Sequence, residues 1–249
     1  KAVTLANASA LPGEPYAALQ DPGKIVAICR EGLDGLLADY PETARIGLTG
    51  QMHGLVYADR TGMAVSPLYT WQDQRGGLPY RDGRTYAEAL AAVTGRPVAA
   101  GYGLVTHYYH TVTGSIPAGA AAFCTIADYV ALRLSGIARP AVHPSMAASM
   151  GCFDPAGGDW DHKVIEKAGM DVRFLPSVTG ERQVGAYRGI PVFPAFGDNQ
   201  ASFLGAVGNP RKLLVNVGTG SQVSLYADRI LDIPELECRP YLSGSYLYV

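Results

Sequence analysis

The chain has 249 residues, 48% of them hydrophobic and only 17% charged, a balance that excludes intrinsic disorder and provides for a sizeable core. Twenty Lys and Arg against 22 Asp and Glu leave a formal charge of −2, without the excess of basic residues that a phosphate backbone requires, so nucleic acid is not an expected partner. No apolar run reaches the roughly 18 residues of a membrane span and no signal-peptide pattern opens the chain, so a cytoplasmic protein that does not engage the membrane is expected.

Lys1 stands where a Met would normally begin, and Tyr246-Leu247-Tyr248-Val249 stops inside a predicted strand; the chain reads as an excised piece. Residues 22 to 38 place Ile25, Ile28, Cys29, Leu33, Leu36 and Leu37 at near-helical intervals, which predicts an amphipathic helix closed by Tyr40-Pro41. Residues 45 to 49 and 54 to 58 read as two short strands around Gln51-Met52-His53. Helices follow over 84 to 94 and 102 to 113, then a strand over 120 to 125 and a helix through Asp128 to Leu134 that ends at Gly136. This strand–helix succession is an α/β signature. A short helix is predicted over 161 to 168, a loop and edge strand over 178 to 187, and a strand over 190 to 196. Gly197-Asp198-Asn199 reads as a turn, Gln200 to Val207 as a helix, and 213 to 217 and 222 to 226 as strands joined by Gly218-Thr219-Gly220-Ser221.

Several of these segments carry candidate chemistry. Gly218-Thr219-Gly220-Ser221 is either a hairpin turn or a cradle of backbone N–H groups and hydroxyls for a polyphosphate. Asp198, after a buried strand and before a helix, is either an N-cap or a carboxylate in the crevice where α/β sheets bind ligands; Asn199 and Gln200 beside it suit sugar hydroxyls. His53 is either a core histidine bonded to backbone or an uncharged hydrogen-bonding group of a cleft. Trp71-Gln72-Asp73-Gln74-Arg75 suits polyol recognition, the alternative being a loop in which Asp73 and Arg75 pair with each other. His107 and His110 share a helix face without a third ligand, so no metal site is assigned. Asp128, His143 and the segment from Ser145 to Ser149 read as structural. Cys29, Cys124, Cys152 and Cys238 are too scattered for a zinc knuckle and read as reduced thiols.

Taken in order, Gly50-Gln51-Met52-His53-Gly54, Trp71 to Arg75, Ile126 to Gly136, Gly197-Asp198-Asn199-Gln200 and Gly218 to Ser221 resemble the FGGY carbohydrate kinases, most closely sedoheptulokinases and then xylulokinases. The resemblance implies an α/β, actin-like (ribonuclease-H-like) fold with a mixed central sheet flanked by helices, and ATP- and Mg²⁺-dependent phosphorylation of a sugar's terminal primary hydroxyl. It implies Asp198 as general base, Met52, His53, Trp71, Asp73, Arg75, Thr106 and Asn199 as substrate contacts, and Gly218, Thr219, Gly220 and Ser221 as a phosphate loop. Residues 1–249 would be the sugar-binding N-terminal domain without the family's first phosphate loop, Asp-x-Gly-Thr-Thr, and without the nucleotide-binding second domain. Such a piece is expected to bind sugar without turnover. The sequence departs from the family after Thr106, where His107-Tyr108-Tyr109-His110 replaces a stretch containing Lys and Trp. The implied partners are a small sugar and ATP, with neither nucleic acid nor membrane, and a homodimer is compatible. A xylulose or other pentulose kinase is the alternative substrate reading; a non-catalytic sugar-binding or regulatory module is the alternative from another class.

Overall fold

The structure is a computed structural model that describes residues 1–207, 213–217, 221–233 and 235–249. Seven α-helices are present among the described residues: α1 Pro22–Asp39, α2 Tyr86–Thr94, α3 Gly103–Thr113, α4 Ile126–Ser135, α5 Pro144–Ser149, α6 His162–Lys167 and α7 Asp198–Ala206. Local chemistry sets their ends. Asp21 caps α1 by accepting the amides of Gly23 and Lys24, with Pro22 in the first turn. Thr85 and Glu88 form a reciprocal capping box on α2, and Thr125 caps α4 through the Asp128 amide. The helices α2, α3 and α4 all stop at a left-handed glycine, Gly95, Gly114 and Gly136.

The strands are short and mixed in direction. Ala10–Leu11, Leu19–Gln20 and Leu68–Tyr69 form an antiparallel set, joined through a Leu55–Tyr69 bridge to Val56–Ala58, which pairs antiparallel with Ala122–Cys124. Thr49–Gly50 pairs in parallel with Phe196–Gly197. The strand predicted over 190 to 196 is interrupted: Ile190–Val192 pairs with Gly185–Tyr187, and pairing resumes only at Phe196. Pro194, inside the gap, has no N–H to give a ladder, which accounts for the break. Residues 151 to 161 contain a hairpin of Phe153–Asp154 with Asp159–Trp160.

One hydrophobic core runs from Val26 on α1 through Leu55, Val56 and Tyr57 to α3, α4 and Ala195. A second, small cluster of Phe203, Tyr241 and Leu247 joins α7 to a four-stranded antiparallel sheet in the order Leu213–Val217, Ser221–Ala227, Tyr246–Tyr248, Cys238–Pro240. Buried Gln200 adds a polar tie, donating from Nε2 to the Pro240 carbonyl at 3.3 Å. The sheet therefore sits against the helix that starts at Asp198.

Candidate functional site

Parallel pairing brings two segments together. The register Phe196↔Thr49 and Gly197↔Gly50 makes both strands end side by side, so that Gln51-Met52-His53 leaves one and Asp198-Asn199 leaves the other. Carboxyl ends of neighbouring parallel strands are where α/β folds bind ligands.

The predicted turn at 197 to 199 is replaced by a helix start. Gly197 is the N-cap of α7 and Asp198 its first residue, so the carboxylate lies at the positive end of the helix dipole rather than in the capping position. Position 197 has no room for a side chain: a Cβ there would stand 2.4 Å from Gln200 Oε1 and 3.0 Å from Met52 Sδ. Asp198 is solvent-exposed, and its Oδ1 accepts the Asn199 amide at 2.7 Å. Asn199 Oδ1 is buried without a partner among the described residues.

Helix α5 holds both segments. Ser145 and Ser149 lie one turn apart on it. Ser145 Oγ accepts the Gly197 amide at 3.1 Å; Ser149 Oγ accepts the His53 amide at 3.1 Å, and the Ser149 carbonyl accepts Nδ1–H of the His53 ring at 2.6 Å. His53 adopts a left-handed backbone, φ 72°, which costs energy in a residue other than glycine and persists where the surroundings over-determine it. Its ring stacks on Tyr102, centroids 4.6 Å apart and planes 10° from parallel. A carbonyl partner places the ring proton on Nδ1 and leaves Nε2 as an acceptor. Burial lowers the His53 pKa and keeps the ring neutral.

These segments border a cleft of about 460 Å³. Met52, His53, Trp71, Asp198 and Asn199 line it with Gln51 and Ser202, and the four-stranded sheet closes it with Asn216, Gln222 and Arg239. Trp71 is 52% exposed, so its ring is free to cover the C–H face of a ligand. Gly101 fixes the Trp71 backbone by close approach: a Cβ at 101 would stand 1.8 Å from the Trp71 carbonyl oxygen.

Asp73, Arg75 and Thr106, assigned to substrate from the resemblance, stand elsewhere: all three are buried and none lines this cleft. Asp73 is wholly enclosed. Its carboxylate accepts from Arg75 Nε at 2.7 Å and Nη2 at 3.1 Å, and from the Ala18 amide at 3.2 Å. The pairing weighed as a surface alternative thus exists, but in the interior. Arg75 also lies 4.0 Å over the Tyr69 ring and donates from Nη1 to His110 Nε2 at 2.8 Å. This donation leaves the proton of neutral His110 on Nδ1, facing Tyr57 Oη at 3.2 Å, and the Tyr57 hydroxyl in turn donates to His107 Nδ1 at 2.8 Å. Burial pushes His107 down to about 4 and, with the Arg75 charge, His110 down to about 3. Both imidazoles are members of a neutral internal network.

Gly218, Thr219 and Gly220 lie outside the described residues. Ser221 opens its strand as an exposed residue and does not line the cleft, whereas Gln222 does. Among the described residues no group of three His, Cys, Asp or Glu side chains could hold a metal ion, and no described helix is long and apolar enough to cross a membrane.

Sequence reasoning missed Ser202, Asn216, Gln222 and Arg239. The available signal was polar interruption of apolar strands: Asn216, between Val215 and Val217, and Gln222, before Val223, are direct cross-strand partners, and Arg239 is the one charged residue of the Cys238–Pro240 strand.

A sequence model of the FGGY family of carbohydrate kinases, N-terminal domain, matches residues 4–205. A sedoheptulokinase of Mus musculus is 29% identical over 248 residues, covering 87% of this chain and 50% of the relative. A xylulose kinase of Streptomyces coelicolor is 26% identical over 204 residues, covering 76% of this chain and 42% of the relative. The chain thus spans about half the length of these curated relatives. Among solved structures, a xylulose kinase from Rhodospirillum rubrum superposes with a TM-score of 0.80 at 20% identity over 96% of this chain and 53% of that one. That likeness identifies the fold as the α/β, actin-like one.

Proposed function

The chain belongs to the FGGY family of carbohydrate kinases, and from that premise we propose that residues 1–249 form the acceptor-sugar half of an ATP-dependent kinase that phosphorylates the terminal primary hydroxyl of a ketose, sedoheptulose first. The observation that carries this reading is the adjacency of an exposed carboxylate, Asp198, to Met52 and His53 at the ends of two paired parallel strands. The greater similarity to sedoheptulokinase than to xylulose kinase supports the seven-carbon substrate.

In this reading the sugar lies with a C–H face on Trp71, and His53 Nε2 accepts one hydroxyl. Asp198 takes the proton of the terminal hydroxyl as its oxygen attacks the γ-phosphorus; the bond from phosphorus to the β–γ bridging oxygen breaks and ADP leaves. Phosphoryl transfer asks the protein chiefly for such positioning and for charge stabilisation. Magnesium is commonly held by one or two carboxylates plus substrate phosphates. Asp198 is the only carboxylate among the described residues lining the cleft, so the donor set fits an ion that enters with the nucleotide and neutralises its phosphates.

The test is sugar-dependent ADP release from MgATP by the protein carrying this chain, with sedoheptulose, D-xylulose and glycerol as acceptors. The expected result is the highest kcat/KM for sedoheptulose. Absence of phosphorylation of every acceptor overturns the reading.

A further inference from the structure

Among the described residues the Asp198 carboxylate has one hydrogen bond, from the Asn199 amide beside it. Its place in the cleft is therefore inherited from the backbone that enters α7. The two amides before it are bonded to different elements: Phe196 donates to the Leu48 carbonyl at 2.9 Å within the parallel ladder, and Gly197 donates to Ser145 Oγ of α5 at 3.1 Å. Gly197 is buried and Ser145 wholly so, which leaves no water to replace the hydroxyl as acceptor.

The Ser145 hydroxyl is itself aimed by His143, the N-cap of α5. The Ser145 amide donates to His143 Nδ1 at 3.1 Å, which makes Nδ1 an acceptor and places the ring proton on Nε2. Ser145 Oγ lies 2.9 Å from the same Nδ1, so its hydrogen goes to the ring and a lone pair is left for the Gly197 amide. The ring stands edge-on to Phe196, centroids 5.0 Å apart. Its Nε2 faces Glu181 Oε1 at 3.8 Å, beyond hydrogen-bond length, and that oxygen accepts the Ser243 amide from the 242–244 turn of the four-stranded sheet. Burial lowers the His143 pKa and so keeps the Nδ1 lone pair available. His143 itself lines no part of the cleft.

We propose that His143 is a positioning residue for the general base: by orienting the Ser145 hydroxyl it fixes the Gly197 amide, and with it Asp198. This rests on the reading of Asp198 as the base of an acceptor-sugar site and adds to it a residue that acts from outside the cleft.

The test is steady-state kinetics of the protein carrying this chain, with MgATP and whichever of sedoheptulose, D-xylulose and glycerol it prefers. The unaltered protein is compared with S145A, H143A, H143N and H143A/S145A, and urea unfolding is measured for each. S145A is expected to lower kcat about ten-fold, the scale of one lost buried hydrogen bond, and H143A at least about three-fold. KM for the sugar is expected to stay within about two-fold, because Met52, His53 and Trp71 are untouched. The double variant is expected to match S145A in kcat, since His143 acts through the hydroxyl already removed, yet to be less stable than S145A, in which His143 still caps α5. H143N is expected to keep kcat within about two-fold, its Oδ1 standing where Nδ1 stands and accepting the same two donors. A His143 that only capped the helix would lower unfolding free energy and leave kcat alone. The proposal is overturned if S145A or H143A keeps kcat within about two-fold of the unaltered protein, or if the double variant loses the product of the two single losses. Should H143A not fold, S145A and H143N decide, and a loss in H143N as large as in S145A is the overturning result. In each of these cases the kinase reading stands. If the unaltered protein phosphorylates none of the three acceptors, that reading falls and this proposal with it.

Discussion

Ser149 holds His53 at two points: its hydroxyl accepts the His53 amide at 3.1 Å, and its carbonyl accepts Nδ1–H of the ring at 2.6 Å. The first bond stabilises a left-handed backbone and the second chooses the tautomer. Ser149→Ala removes the first and leaves the second. It is expected to cost about 1 kcal/mol in urea unfolding and to weaken sugar binding through a looser His53. Unchanged unfolding and unchanged affinity would remove Ser149 from the positioning role.

Asp198→Asn is expected to lower kcat by about 10²- to 10⁴-fold in the protein carrying this chain, the contribution of a positioned general base. Steady-state kinetics with the preferred ketose measures it. Near-normal turnover would reassign the base.

Arg75→Ala leaves the Asp73 carboxylate enclosed with no counter-charge and deprives His110 of its donor. The expected cost is about 3 to 5 kcal/mol of stability, as for other broken buried pairs. Chemical denaturation reads it. A variant of unaltered stability that had lost only sugar affinity would return Arg75 to the substrate site.

The pH dependence of stability has a worked sign. His107 and His110 titrate in the fold at about 4 and about 3, below the ordinary 6.5, so their contribution is complete above 6.5 and is lost as pH falls toward 3 to 4. Asp128, raised by burial to about 7, acts oppositely: its contribution is present below the ordinary carboxylate range and is lost as pH rises toward 7. Denaturation free energy is therefore expected to rise from pH 5 to 6.5, and to rise more steeply in Asp128→Asn. An identical slope in that variant would contradict the assignment of a protonated Asp128.

Gly101→Ala forces a methyl group against the Trp71 carbonyl. The Trp71 loop must shift, and a change in tryptophan emission together with weaker ketose binding is expected. Native emission and native affinity would show that the loop gives way without consequence.

Much of this was legible in the residues themselves. The periodicity of Ile25 to Leu37 and the glycines at 95, 114 and 136 announce α1 to α4 because capping and amphipathicity are local. The segment around Met52 and His53 and the Asp198 position were legible as polar groups following apolar strands. The fate of Asp73 and Arg75 was not, because a charged pair two residues apart looks the same on a surface loop and in an interior, and only His110 and Tyr69, contributed by distant segments, decide the matter. Ser145 and Ser149 read as structural, and they are, but their partners at 197 and 53 are set by tertiary packing that no local pattern records.

The pairing of Thr49 with Phe196 and of Gly50 with Gly197 also acts as a ruler. Residues downstream of each strand are counted from that shared origin, so losing or adding a single amino acid within 51–53 or at 198 would exchange which side chain faces the cleft and which the interior. The Pro155–Gly158 turn carries no such count, and chain length there should drift freely where the two measured segments tolerate no insertion or deletion.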